Sequence, residues 1–137
     1  MDEYNAAYFK LHPRARKKPI EYTHHPLLNT WMILPRIQMN AVKQRWKDFG
    51  MYIIKKNGYE NLQLDKFEMT FITYMNSRRR VDPDGTTPKF LLDAFTESQF
   101  IIDDSGKHLK SLTLITSYDK ENPRTEIYVK VLEDGFD

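Results

Sequence analysis

Lys66-Phe67-Glu68-Met69-Thr70-Phe71-Ile72-Thr73-Tyr74-Met75 is the stretch that decides the fold. Side chains alternate across an extended chain, so Phe67, Met69, Phe71, Thr73 and Met75 share one side and Glu68, Thr70, Ile72 and Tyr74 the other. The pattern predicts a strand with one apolar face, and such a face needs a second layer to cover it. Upstream, Val42, Trp46, Phe49 and Ile53 are spaced by four, three and four residues, which is one face of a helix over Arg36 to Lys56. Lys43, Lys47, Asp48, Lys55 and Lys56 fall largely elsewhere on that helix. Asn57-Gly58 supplies its stop, because glycine accepts the left-handed conformation that closes a helix. Trp46, Phe49, Tyr52 and Phe95 sit at core-type helical spacing and are read as packing.

Downstream, Thr87-Pro88 looks like an N-cap followed by proline at the first helical position, and Leu91, Leu92 and Phe95 lie on one face of a second helix over Lys89 to Ser98. Phe100-Ile101-Ile102 is a brief apolar run that stops at Asp103-Asp104. Leu109 to Tyr118 and Thr125 to Leu132 carry strand residues, joined by a turn holding Asp119, Asn122 and Pro123. Before the first helix, Pro19-Ile20-Glu21-Tyr22-Thr23 alternates like a half-buried strand, ended by His25-Pro26, and a loop is expected through Asn29 and Trp31 to Pro35. The order of elements predicts an α+β fold with a mixed sheet of about four strands and two helices. Residues 1–17 lack a convincing apolar period and are expected as a basic N-terminal extension to one domain over residues 18–137.

Composition sets the outer bounds. The 137 residues are 40% apolar, 13% aromatic and 29% charged, values typical of a globular chain. Without cysteine there is no disulfide framework, thiolate metal site or cysteine nucleophile, and a cytoplasmic setting is expected. No stretch approaches the roughly 18 apolar residues of a membrane span, and the N-terminus lacks the apolar run of a signal peptide. The net charge of +2 is small, but it is unevenly arranged. Lys10, Arg14, Arg16, Lys17 and Lys18 form one basic cluster and Arg78, Arg79 and Arg80 a second, while Asp134 and Asp137 leave the C-terminus acidic. Each cluster has an ordinary reading as a solvated face and a second as a phosphate-binding surface.

Chemistry concentrates between Arg78 and Asp104. Pro83 pushes Asp82 towards an extended conformation, in which the Asp82 and Asp84 side chains would share a face ~6.6 Å apart and could reach one hard cation. Mg²⁺ is commonly held by one or two carboxylates while keeping waters for its substrate. Asp103 and Asp104 supply further carboxylates. Lys89 falls in the first turn of its helix, where the positive end of the dipole disfavours a cation unless an anion is close. Asp-Pro-Asp-Gly and Asp-Asp-Ser-Gly are also ordinary turn sequences. An EF-hand count puts Asp82, Asp84 and Asp93 at positions 1, 3 and 12, but the glycine required at position 6 would be Thr87 and a helix would start inside the loop. The adjacent His24 and His25 point to opposite faces of an extended segment, so a structural or surface role is expected for them.

Taken together, Arg78-Arg79-Arg80-Val81-Asp82-Pro83-Asp84, Lys89-Phe90-Leu91-Leu92-Asp93-Ala94-Phe95 and Phe100-Ile101-Ile102-Asp103-Asp104-Ser105 resemble the pattern of the RusA family of Holliday junction resolvases. That pattern has a basic run, an Asp-x-Asp pair, a lysine four residues before an aspartate, and an Asp-Asp pair after a short apolar segment. Pro26-Leu27-Leu28-Asn29-Thr30-Trp31 resembles the family's early Pro-x-x-Asn loop, so the likeness covers about residues 18–132.

The resemblance implies a Mg²⁺-dependent endonuclease, for which Mn²⁺ can substitute, acting as a homodimer on four-way junctions and other branched DNA in recombination, repair or phage DNA processing. It implies Asp82, Asp84 and Asp104 as metal-binding catalytic carboxylates, Lys89 as the catalytic lysine and Asp103 as a supporting acid. Arg78, Arg79, Arg80, Arg14, Arg16, Lys17 and Lys18, with the exposed lysines of the first helix, are expected to contact phosphates. It implies a bacterial protein, encoded by the cell or by a phage. Gly85 stands where the family pattern has asparagine, and Asp84 to Lys89 is one residue longer. These departures leave a second expectation open, a weakened relative that binds branched DNA or a protein partner without cutting.

Overall fold

A computed structural model of the chain describes residues 2–11, 20, 24–78 and 81–132. Its helices are α1 (Asp2–Leu11), α2 (Leu28–Trp31), α3 (Arg36–Lys56) and α4 (Lys89–Glu97), with a 3-10 helix at Pro83–Thr86. Its strands are β1 (Phe67–Met75), β2 (Leu109–Tyr118) and β3 (Arg124–Val131). The sheet order is β2-β1-β3, with β1 parallel to β2 and antiparallel to β3. The fold is therefore α+β with a mixed sheet, three-stranded among the described residues. The strand expected at residues 19–23 lies outside the described residues except for Ile20, which is buried and in no strand.

The stretch that opened the sequence reading is the central strand. Phe67, Met69, Phe71 and Thr73 are at most 1% exposed, while the alternate residues of β1 are half-buried. Burying side chains of this size stabilises by about 1.5–3 kcal/mol each relative to leaving them in water. α4 lies deep in the core, with Phe90, Leu91, Leu92, Ala94 and Phe95 all buried. α3 contributes Trp46, Phe49 and Ile54, and Val42, Tyr52 and Ile53 pack against the same core. The helices approach closely at Gly50, where an added Cβ would stand 2.7 Å from the Ala94 Cβ.

Helix α3 ends where the sequence places its stop. Gly58 takes φ +74°, its N–H donates to Lys55 O at 3.1 Å, and the Tyr59 N–H donates to Ile54 O at 3.0 Å, which together satisfy carbonyls of the last turn. α4 closes with the same pair of bonds, from Gln99 N–H to Thr96 O and from Phe100 N–H to Phe95 O, at 3.1 Å each. Here Gln99 occupies the left-handed position with φ 57°, and no glycine announces it in the sequence. Residues after this turn run beside the chain leaving α3: Leu64 bridges Ile101 in parallel fashion, which fixes the backbone just ahead of Asp103.

The link from β2 to β3 crosses the end of β1, where the Asp119 N–H donates to Met75 O at 2.9 Å. Asp119 Oδ1 accepts the N–H groups of Glu121 and Asn122, and Arg124 donates to Asp119 and to Glu126 at 2.8 Å each, with its guanidinium 3.9 Å over the Tyr74 ring. The turn expected from Asp119, Asn122 and Pro123 thus has a specific ionic clamp.

Several expectations change. Among the described residues four α-helices stand where two were expected. α1 forms within the segment read as lacking an apolar period, and Tyr4 packs on Phe49 and Tyr52 with ring centroids 5.2 and 5.1 Å apart. Asn5, buried, accepts the Ile20 N–H and donates to its carbonyl, so this helix owes its place to tertiary bonds. The loop expected through Asn29 contains the short α2. At the start of α4, Pro88 is the N-cap and Thr87 Oγ1 donates to Asp84 O at 2.8 Å, so the expected cap is displaced by one residue and its hydroxyl is used elsewhere.

Candidate active site

The parallel pairing of β1 with β2 brings their carboxyl ends to one edge of the sheet, and this is where ligand crevices form in sheets of parallel strands. Leaving β1, the chain passes through Val81 into Asp82, whose extended backbone (φ −75°, ψ 139°) is what a residue before proline adopts. The chain then coils. Pro83 to Thr86 form the 3-10 helix, the Gly85 N–H donates to Asp82 O at 2.9 Å, and Thr86 Oγ1 donates to Pro83 O at 2.6 Å. The continuous extended stretch expected over Asp82 to Asp84 is therefore corrected, because Gly85 and the buried Thr86 close a turn within it.

Both residues nevertheless line one cleft. A cleft of about 590 Å³ is lined by Asp82, Asp84 and Gly85, by Ser77 at the end of β1, and by Asn29 and Thr30 of α2. Asn29 and Thr30 come from the Pro-x-x-Asn segment, which is distant in sequence from the acidic loop.

Lys89, Asp103 and Asp104 form a second group, outside the lining of that cleft. Lys89 Nζ pairs with Asp93 at 3.1 Å, one helical turn further on. Its pKa is raised, first by that hydrogen bond, with the charges of Asp93, Asp104 and Asp103 adding to the shift and partial burial opposing it. The anion that a cation in the first helical turn requires is thus supplied within the protein. Asp93 was quoted as part of the motif without a role, and its spacing from Lys89 was the signal for this pair.

The start of α4 is held from a distance. His25 is 2% exposed, its Nδ1–H donates to Pro26 O at 2.9 Å, and its Nε2 accepts the Phe90 N–H at 3.2 Å. Neither Pro88 nor Thr87 caps the helix with a side chain, so the imidazole satisfies one of its open N–H groups. The structural role expected of the His24-His25 pair is thereby found for His25. Burial is the main cause that lowers its pKa to about 4.

Among the described residues, no three histidine or acidic side chains are gathered closely enough to hold a metal ion. Asp82, Asp84 and Asn29 line the cleft, and their side chains carry oxygen donors of the kind Mg²⁺ takes when substrate phosphates complete its shell.

Of the expected phosphate-binding residues, Arg78 is exposed, with its guanidinium 4.5 Å over the Tyr118 ring. Arg79, Arg80, Arg14, Arg16, Lys17 and Lys18 lie outside the described residues. On α3, Lys47 pairs with Glu97 at 2.9 Å and Lys56 with Glu3, while the exposed Lys43 and Lys55 have no ion pair among the described residues. No helix among the described residues is long and apolar enough to cross a membrane. No protein-family model matches the chain, and no curated protein is significantly similar to it in sequence.

Proposed function

We propose that this protein is a metal-dependent phosphodiesterase acting on nucleic acid. More narrowly, it is a RusA-like endonuclease that cuts four-way junctions and other branched DNA as a homodimer in the bacterial cytoplasm. The observation that carries the reading is the shared cleft of Asp82, Asp84 and Asn29 at the carboxyl edge of β1 and β2, formed by two segments of the motif that are distant in sequence.

Asp82 and Asp84 would hold Mg²⁺, which when bound supplies Lewis-acid stabilisation of charge building on the phosphodiester. The two carboxylates orient the scissile phosphate by excluding any anion not bridged by a cation. Asn29 has a side-chain N–H to offer a phosphate oxygen, and Ser77 and Thr30 have hydroxyls for the same edge. Lys89 is protonated at neutral pH and stabilises negative charge near the start of α4, while Asp103 and Asp104 hold that charge in place.

Cleavage of a synthetic four-way junction tests the assignment. Asp82→Asn and Asp84→Asn are each expected to lower the rate by about a hundredfold or more, and chelation of Mg²⁺ to stop cleavage while binding persists. Either variant cutting at the wild-type rate removes the basis of the proposal. A second reading is favoured by the absence, among the described residues, of three acidic or histidine side chains gathered for a metal: a protein that binds branched DNA without cutting it. Tight metal-independent binding with no cleavage under any divalent cation is its signature.

A further inference from the structure

Met75 and Tyr118 are paired residues at the carboxyl ends of the parallel strands, so their side chains emerge together at the edge that holds the acidic cleft. Beside that cleft lies a second, shallower concavity of about 260 Å³, lined in part by Ser117, Tyr118 and Arg78. The two share Met75, Ser77 and Val81, so the concavity at Tyr118 adjoins the cleft of Asp82 and Asp84. Tyr118 is 37% exposed, and Arg78 is exposed with its guanidinium 4.5 Å above the phenol ring. Among the described residues Arg78 has no carboxylate partner.

An arginine held over an aromatic ring combines a flat polarisable surface with a cation whose N–H groups still point outwards from its edge. One nucleotide offers the complement of both, a base with a π-face and a phosphate. A base inside a duplex has both faces covered by its neighbours, so only an unpaired base can use such a platform. We infer that Arg78 and Tyr118 bind an unpaired nucleotide next to the phosphate at the Asp82/Asp84 cleft, the base stacking on the pair and the guanidinium taking the phosphate. This rests on the nucleic-acid reading above and narrows its substrate to branches or single strands with an unstacked base beside the cutting point. Tyr118 and Arg78 are positioning residues, acting on the strand and not on the reacting atoms.

The test uses the full chain without divalent cation and a short single strand carrying 2-aminopurine, whose emission is quenched when it stacks, with the fully paired duplex as control. The wild type is expected to quench the single strand and leave the duplex bright. Tyr118→Leu is expected to lose the quenching and bind the single strand about tenfold more weakly, whereas Tyr118→Phe and Tyr118→Trp keep both. Arg78→Ala is expected to weaken binding and reduce its salt dependence. Thermal melts matching the wild type confirm that Tyr118→Leu is folded, and the Phe and Trp variants carry the test if it is not: loss of quenching in both would overturn the inference.

Equal quenching and affinity in wild type and Tyr118→Leu would overturn it as well. If Asp82→Asn abolishes junction cleavage while Tyr118→Leu stacks normally, this inference alone fails. Should Tyr118-dependent quenching be seen with Asp82→Asn cutting normally, the catalytic assignment fails and the platform stands. Failure to bind the single strand overturns this inference, while the catalytic assignment is decided by junction cleavage.

Discussion

His25 shows how much one side chain can be asked to hold. Its neutral ring donates to Pro26 O and accepts from the Phe90 N–H, so a second ring proton would face a donor and remove an acceptor. With the folded-state pKa lowered to about 4 from 6.5, the unfolded chain takes up the proton first as pH falls. The stabilisation is therefore complete above about pH 6.5 and is lost as pH drops towards 4, with a size of roughly 3 kcal/mol at about 1.4 kcal/mol per tenfold change in proton affinity. His25→Phe keeps an aromatic ring against Trp46 and Phe90 but leaves the Phe90 N–H unpaired, and is expected to cost about 1–3 kcal/mol at neutral pH. In parallel melts, the Tm gap between wild type and this variant should shrink from pH 7 to pH 4. A gap that stays constant would show that the imidazole does not act through its neutral form.

At the scale of elements, α3 and α4 meet where two small residues face each other. An added Cβ at Gly50 would lie 2.7 Å from Ala94 Cβ and 3.2 Å from Leu91 Cδ2, so one helix must shift to admit it. Alanine would gain up to about 1 kcal/mol in helix propensity but incur overpacking of about 1–3 kcal/mol, and packing wins because both neighbours sit on a buried helix. Gly50→Ala is expected to lower stability by about 1–2 kcal/mol in urea unfolding, and Ala94→Gly in the same chain to recover part of the loss. Stability equal to or above wild type in the single variant would mean that the helices can separate freely. Because α4 carries Lys89, a shifted α4 should also alter the proposed cleavage rate more than it alters binding.

Across the whole molecule, a net charge of +2 is too small to draw the chain to DNA by total charge, so the proposed attachment must come from local clusters. Lys47 and Lys56 are engaged with Glu97 and Glu3, which shifts the weight to Arg78 and the basic runs around it and near the N-terminus. Phosphate contacts release condensed counterions, so junction affinity is expected to fall at least about tenfold between 50 and 200 mM salt. In a plot of log affinity against log salt, Arg78→Ala should reduce the slope by about one. Affinity independent of salt would rule out a phosphate-led interface.

What could be read from the sequence was local, because it rests on neighbours at two, three and four residues. The alternation in β1, the helical face of α3, its stop at Gly58 and the turn at Asp119 all depend on contacts within a few positions, and each stands where the pattern put it. Tertiary structure decided everything that requires a distant partner. Asn5 fixes α1 through Ile20, and His25 caps α4 across 65 positions. The coil at Pro83–Thr86, closed by Gly85 and Thr86, leaves Asp82 and Asp84 lining a cleft with Asn29, while Lys89 feels the charges of Asp93, Asp104 and Asp103. The physical reason is that buried backbone groups must be paired and side chains must fill the core without overlap. Those conditions are met only when the whole chain is folded, and no sequence spacing encodes their solution.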